Sequence, residues 1–289
     1  MRVLITGSSG QVGSALLRGA PPGIELGAFA RPQLDIGDAG AIHTAVAAFR
    51  PQLIINAAAY TAVDKAESEP FLADAINAQA PQHLAEAAYS QDDCRLIHIS
   101  TDYVFDGRGA DAYRPDDVPH PLSVYGRTKL AGERAVLGAL GARAVILRTA
   151  WVYASEGRNF LLTMLRLMRE RGTVRVVADQ KGTPTAATSI ARALWRIAEL
   201  PRVRGILHWT DDGVASWYEF ACAIAEDALA AGLLSQTAQV TPISTAEYPT
   251  VAHRPANGVL DTRDSIAQLG ITPEHWRDNL RATLAALRR

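Results

Sequence analysis

Arg2-Val-Leu-Ile-Thr6 runs without a break into Gly7-Ser-Ser-Gly10-Gln-Val-Gly13. This first run is apolar at Val3, Leu4 and Ile5 and rich in β-branched side chains, the composition of a parallel strand buried on both faces. Glycines at 7, 10 and 13 follow, and the amphipathic run from Val12 to Arg18 continues as a helix. A strand, a tight glycine turn and a helix N-terminus together present backbone N–H groups and a helix dipole to a pyrophosphate. Gly7 and Gly10 would let the backbone turn and approach the phosphates, with Ser8, Gln11 and Val12 beside them, and Gly13 would let the helix pack on the strand. A plain glycine turn has the same spacing, but its position at the first strand of the chain favours the dinucleotide reading.

Outward from this turn, strand and helix alternate. A second strand fits Ile24 to Ala30, and its end is where such folds read the adenosine ribose. An acidic residue there would bind the 2′-hydroxyl of NAD; this chain has Ala30-Arg31, which leaves room for a 2′-phosphate and supplies a cation, so NADPH is favoured with NADH possible. Leu34-Asp35-Ile36 precedes a helix from about Asp38 to Phe49, and Asp35 and Ile36 are expected near the cofactor. Pro51 to Asn56 is the third strand, ending in small-residue backbone through Ala58 and Ala59 to Tyr60 and Thr61, suited to lying against a ribose. A helix is expected from Pro70 to Tyr89 with Asn77 inside it, then a fourth strand, Arg95 to Ser100. A long polar loop to Ser123 and a fifth strand, Ala144 to Leu147, follow. This order predicts an α/β fold, a Rossmann-like doubly wound parallel sheet: residues 1–150 form an NAD(P)-binding domain. Residues 151–289 change rhythm, with helices at 159–171, 186–199, 217–230 and 273–287 and short strands at 174–177 and 206–210, and are expected to form a smaller, mainly substrate-binding lobe interleaved with the sheet.

Composition narrows the function. A net charge of -1 leaves no basic footprint for nucleic acid or an anionic membrane surface. Cys94 and Cys222 are far apart and outside any metal-ligand spacing, so both read as buried thiols of a reducing cytoplasm. The chain opens on a strand, with no signal-type apolar core and no run of eighteen apolar residues, so the protein is expected in the cytoplasm. The expected partner is a small molecule, and the chain reads as a monomer or homodimer.

Tyr125-Gly-Arg-Thr-Lys129 carries the chemistry. On a helix, an i,i+4 spacing puts phenol and ammonium on one face. A free tyrosine is a poor acid–base catalyst near neutrality, and a nearby ammonium lowers its pKa by stabilising the phenolate. The same spacing occurs by chance on solvated helices, and what raises it above chance is its company: Thr101 at the end of a strand, and the glycine turn.

Together, Gly7-x-x-Gly10-x-x-Gly13, Thr101 and Tyr125-x-x-x-Lys129 resemble an extended short-chain dehydrogenase/reductase. More narrowly, Asn56-Ala-Ala-Ala-Tyr-Thr-Ala-Val-Asp-Lys-Ala-Glu67, Ser100-Thr-Asp-Tyr-Val-Phe-Asp-Gly107, Val124-Tyr-Gly-Arg-Thr-Lys-Leu-Ala-Gly-Glu133, Arg148-Thr-Ala-Trp-Val-Tyr153 and Arg254-Pro255 are similar to the dTDP-4-dehydrorhamnose reductase family, along the whole chain. The resemblance implies reduction of the C4 ketone of dTDP-4-dehydro-L-rhamnose by NAD(P)H, supplying dTDP-L-rhamnose for cell-surface polysaccharide. It further implies that Tyr125 gives its proton to the forming alkoxide, that Thr101 bonds the same oxygen, and that Lys129 depresses the Tyr125 pKa and holds the nicotinamide ribose. Ser100 would also touch the cofactor. Asp102, Tyr103, Phe105 and Trp151 would line the sugar pocket, and Arg254 would clamp the diphosphate, whose geometry a guanidinium matches.

Some relatives carry two glutamates that bind magnesium at a dimer interface; the matching positions here are Ala15 and Thr188, so no metal is expected. Two other readings stay open: a reductase of another 4-keto-6-deoxy nucleotide sugar, and a non-catalytic regulatory subunit that keeps the fold. Dehydratases of this lineage carry an acidic pair after the strand-end threonine, where this chain has Asp102-Tyr103.

Overall fold

The structure, a computed structural model, describes residues 1–288. Its frame is a six-stranded sheet in which every pairing is parallel. The strands, in chain order, are β1 (Arg2–Thr6), β2 (Glu25–Phe29), β3 (Leu53–Asn56), β4 (Arg95–Thr101), β5 (Ala144–Thr149) and β6 (Gly205–His208), and across the sheet they run β6-β5-β4-β3-β1-β2. Successive strand residues alternate between two cores, as the two-residue period requires. Val3, Ile5, Leu53, Ile55, Ile97 and Leu147 face helices α1 (Gln11–Arg18) and the later Ala187–Glu199. Leu4, Ile54, Leu96 and Ile146 face the other side, where α2 (Ala39–Phe49), α3 (Ala80–Tyr89) and α4 (Val124–Leu140) pack. Strand order reverses between β1 and β3, and that reversal opens a crevice at their carboxyl ends.

Residues beyond 150 contribute to this frame as well as to a second core. They supply β6 and the helix 187–199, which packs on α1. The remainder forms a lobe in which helices Phe160–Arg171, Trp217–Ala230 and Trp276–Ala286 enclose Tyr153, Met164, Leu165, Phe220, Ile224 and Leu280. Its strands Thr173–Val177 and Gln239–Ile243 pair in parallel. The latter strand and a helix at Arg263–Leu269 have no counterpart in the sequence reading. Gln239–Ile243 is mostly exposed and carries Pro242, so it lacks the apolar alternation that announces a strand.

The helix expected over 70–89 is three segments: Pro70–Asp74, a π-helical turn at Ala75–Gln79, and α3. Buried Asn77 lies in that turn and clamps the loop after β3, accepting from the Tyr60 N–H at 2.8 Å and donating to the Tyr60 carbonyl at 3.0 Å. Of the two cysteines expected to be buried, Cys94 is, whereas Cys222 is half-buried.

The long loop after β4 is fastened by a buried ion pair. Arg148 of β5 makes two bonds to Glu133 of α4, Nε to Oε1 at 2.9 Å and Nη2 to Oε2 at 2.7 Å, with both side chains almost fully enclosed. Arg148 also reaches the Pro115 carbonyl at 3.4 Å, and His208 of β6 meets the Tyr113 carbonyl at 3.0 Å. Burial and the adjacent Arg148 push His208 down to about 3, so the ring is neutral and Nδ1–H is the donor. Removing one partner of such a pair leaves a buried charge alone. Glu133→Ala is therefore expected to cost roughly 3–5 kcal/mol in urea denaturation. Arg166→Ala, which breaks an exposed i,i+4 pair with Glu170, should leave the curve unmoved.

Candidate active site

The glycine turn and the loop after β3 meet at the crevice. Gly7 has a positive φ of 67°, and a Cβ there would lie 2.7 Å from Ala58 Cα; a Cβ on Gly13 would overlap the Gly7 carbonyl oxygen. Neither position admits a side chain. Gly10 caps α1 without a side-chain hydrogen bond, and no acidic residue occupies the first turn, so the helix N–H groups and dipole are available to an anion. These features fit the pyrophosphate of a dinucleotide.

The other expected cofactor residues surround this point unevenly. Ser8 is buried, and its N–H bonds the Phe29 carbonyl at 3.1 Å, tying the turn to β2. Gln11 accepts from Asn159 Nδ2 at 2.8 Å, which links α1 to the second lobe. Val12 packs on the core of that face. Arg31 is exposed just past β2. Asp35 turns one oxygen back to the Gly37 N–H at 3.0 Å, and Ile36 is buried with Leu34 and Ile42, so its side chain is part of the core. Ala58, Ala59 and Tyr60 are half-buried along the crevice, Thr61 is exposed, and Tyr60 donates to Glu69 at 2.6 Å. Ser100 Oγ is buried without a partner.

Ser123 starts α4 by accepting the Gly126 N–H at 3.1 Å, which places Tyr125 in the first turn and Lys129 one turn on. Gly126 lets this turn press on the chain after β4, where a side chain would strike the Tyr103 carbonyl. Tyr125, Thr101 and Lys129 thus converge at the carboxyl end of β4, all buried. Thr101 Oγ1 bonds Asp102 Oδ1 at 2.9 Å and accepts the Tyr103 N–H at 3.2 Å. Its hydroxyl also favours the charged form of the neighbouring Tyr125 phenol.

Burial sets the protonation of this group. It pushes Tyr125 above the usual phenol range, and the Thr101 hydroxyl only partly opposes it. The depressed phenol expected from the Tyr-Lys spacing is therefore not found: Lys129 Nζ is turned onto the Ile99 carbonyl at 2.6 Å and lies 3.2 Å from His98 Nε2. Burial likewise brings Lys129 down to about 8, against an upward pull from Glu133. Asp102 is lifted to about 7 by burial, with Thr101 and the Tyr103 N–H holding it down. A neutral phenol is the form that donates a proton.

The residues expected on the substrate side are held by aromatic stacking and by an ion pair. Trp151 has a φ of 46°, a left-handed backbone that a bulky residue rarely adopts. It is packed against Gly182, where an added Cβ would lie 2.5 Å from the indole, and against Trp217, whose ring stacks at 3.5 Å. Tyr103 stands edge-on to Tyr125 at 5.5 Å. Arg254 pairs with Asp64 at 2.8 Å and lies beside Tyr103. Phe105 is not at an open surface: it is 1% exposed, stacks on Tyr113 at 4.3 Å and lies under Arg148, so it supports the loop. His98, Asn77, Asp64, Gly182 and Trp217 were not singled out as site residues from sequence. Only Asn77 carried a local signal, a buried amide in a helical run.

The family model for the RmlD substrate binding domain matches residues 1–289. The chain belongs to that family. It is similar to the dTDP-4-dehydrorhamnose reductase of Aggregatibacter actinomycetemcomitans, at 42% identity over 97% of each chain. It also resembles the crystal structure of a dTDP-4-dehydrorhamnose reductase from Clostridium acetobutylicum, with a TM-score of 0.94 and 36% identity over the full length of both. The enzyme of the same name from Bacillus anthracis, solved in complex with NADP, follows at a TM-score of 0.92 and 34% identity over 99% of each chain. Among the described residues no helix is long and apolar enough to cross a membrane.

In this RmlD-family chain the stacked indoles provide an optical handle on the substrate end. Two tryptophans in face contact couple their excited states, so far-ultraviolet circular dichroism should show a paired positive and negative band. Trp217→Ala is expected to abolish that pair of bands. Gly182→Val should weaken it by displacing Trp151; unchanged spectra for both variants would show that the stack does not persist in solution.

Proposed function

We propose that this protein reduces the C4 ketone of dTDP-4-dehydro-β-L-rhamnose to give dTDP-L-rhamnose, using NADPH, with NADH also accepted. The observation that carries the reading is the convergence of Thr101, Tyr125 and Lys129 at the carboxyl end of β4, beside a glycine-lined crevice that fits a dinucleotide. The reductase names of its relatives supply the substrate. We place the protein in the cytoplasm, as a monomer or homodimer acting on a small nucleotide sugar, a reading supported by two unpaired cysteines and near-zero net charge.

The nicotinamide cofactor supplies the hydride when bound. Tyr125, kept as the neutral phenol by burial, gives its proton to the ketone oxygen as negative charge develops there. Thr101 donates to the same oxygen when Asp102 is protonated, because the Thr101 proton is otherwise held by the Asp102 carboxylate. The rise of Asp102 to about 7 makes that neutral form accessible under ordinary conditions. Lys129, once charged, stabilises the phenolate left behind and holds the nicotinamide ribose. Trp151 lines the sugar pocket, and Arg254, oriented by Asp64, binds the diphosphate.

Nothing in this scheme calls on a metal. The hollow of about 460 Å³ between α1 and the helix 187–199 is lined by Ala15, Thr188, Arg18, Arg192, Arg196 and Glu199, and Glu199 is already paired with Arg196 at 3.0 Å. Three guanidiniums and one engaged carboxylate do not suit magnesium, which wants several free oxygen ligands. EDTA should leave rate and sedimentation unchanged.

The decisive assay is incubation with dTDP-4-dehydrorhamnose and each of NADPH and NADH, with identification of the product. Tyr125→Phe should retain cofactor binding and lose roughly 10²–10⁴-fold in kcat; a variant within about twofold of wild type would remove Tyr125 as the acid. Arg31→Ala should narrow the NADPH preference in kcat/KM, and an unaltered ratio would remove Arg31 from the cofactor site.

A further inference from the structure

Beneath the catalytic group runs a buried polar chain that the reaction as written does not use. Thr6 of β1 donates to Asn56 Oδ1 at 2.7 Å, Asn56 Nδ2 lies 2.9 Å from His98 Nδ1, and His98 Nε2 lies 3.2 Å from Lys129 Nζ. Thr6, Asn56 and His98 have no solvent exposure, and Lys129 has 2%. No water can substitute for a missing partner, so each proton must be placed within the chain itself.

Its direction is fixed from one end. The Ala58 backbone N–H, a group that can only donate, bonds Asn56 Oδ1 at 3.2 Å. Asn56 must therefore present its NH₂ to His98, because flipping the amide would set two donors face to face. His98 Nδ1 then accepts. A neutral imidazole that accepts through Nδ1 carries its proton on Nε2. The proton on Nε2 points at Lys129. An amine can accept it through its lone pair while giving one of its own protons to the Ile99 carbonyl; an ammonium, with three donors and no acceptor, cannot.

We propose that His98 is a positioning residue that holds Lys129 as the neutral amine in the free protein, so that Lys129 takes up a proton when the cofactor binds and gives it new acceptors. Of the other ionisable groups around Lys129, Tyr125, on the same helix, is neutral, and Glu133, also on α4, pulls Lys129 upward but is already claimed by Arg148 of β5. The π turn packed on α4 contributes the uncharged Asn77. Burial, against that upward pull, brings Lys129 to about 8 and is the larger cause that keeps His98 well below its ordinary value, so His98 does not carry the charge instead.

The inference rests on the Tyr125–Lys129 reading for its consequence but not for its first test. In the cofactor-free protein, ¹⁵N-histidine NMR, with His98→Gln used to assign the signal, should show His98 unprotonated at Nδ1 and protonated at Nε2. Asn56→Asp should reverse that tautomer, since a carboxylate accepts where the NH₂ donated. The second test is calorimetry of NADPH binding at pH about 8 in buffers of different ionisation enthalpy. Wild type should take up between about half and one proton per cofactor bound. His98→Gln, which can turn an amide oxygen to Lys129, and Asn56→Asp should both lose that uptake, and melting curves will confirm that each is folded. His98 protonated at Nδ1 in the wild type, or equal uptake in wild type and folded variants, overturns the proposal. If NADPH does not bind at all, the cofactor reading fails, and the NMR result still decides the tautomer.

Discussion

The amine of Lys129 is buried at the carboxyl end of a parallel sheet, and much of the surrounding architecture follows from having to satisfy it. A buried polar group without partners costs about 1–3 kcal/mol, and more if charged. The Ile99 carbonyl and His98 are its partners. His98 then needs Asn56, and Asn56 needs Thr6 and the Ala58 N–H. One side chain of α4 is thereby registered against three strands, β4, β3 and β1, and against the loop that borders the glycine turn. The second buried cation, Arg148, does the same for the other half of the site: through Glu133, Pro115 and its neighbour His208 it anchors the loop after β4.

Desolvation drives every ionisable group at the centre in one direction. The phenol of Tyr125 and the carboxyl of Asp102 are raised and Lys129 is lowered, each towards its neutral form. A neutral phenol and a protonatable neighbour of Thr101 are what proton delivery to a carbonyl requires. The same environment disfavours charge until a ligand brings its own dipoles and phosphates. Binding and protonation are thus coupled by burial.

Of the three non-glycine residues with positive φ, Arg50, Asp93 and Trp151, only Trp151 lies among the residues expected at the substrate end. A bulky residue in the left-handed region costs on the order of 1–3 kcal/mol, and Trp151 is kept there by the stacked ring of Trp217 and by close contact with the glycine at 182. Both contacts come from the second lobe. The stacked pair at Trp151 is accordingly set by packing within residues beyond 150, while Thr101, Tyr125 and Lys129 are set where α4 meets the end of β4.

The parallel sheet, the cofactor crevice and the Thr101–Tyr125–Lys129 group were legible in the sequence because each rests on local order: apolar strands, glycines at 7, 10 and 13, and a four-residue helical spacing. The exposed strand at 239–243 escaped because nothing apolar marks it, and Asn77 was visible only as a polar residue in a helix, not as a clamp on Tyr60. The assignment of Phe105 to the substrate failed for a related reason: sequence places it beside Asp102 and Tyr103, but not under Arg148. The protonation of the site belongs wholly to the tertiary structure. A Tyr-Lys spacing suggests a depressed phenol; what raises it is burial, and what turns Lys129 aside is a histidine thirty-one residues away in sequence, itself oriented by an asparagine forty-two residues before it. Hydrogen-bond direction depends on which donors and acceptors face one another after the strands have paired, and no local pattern encodes that.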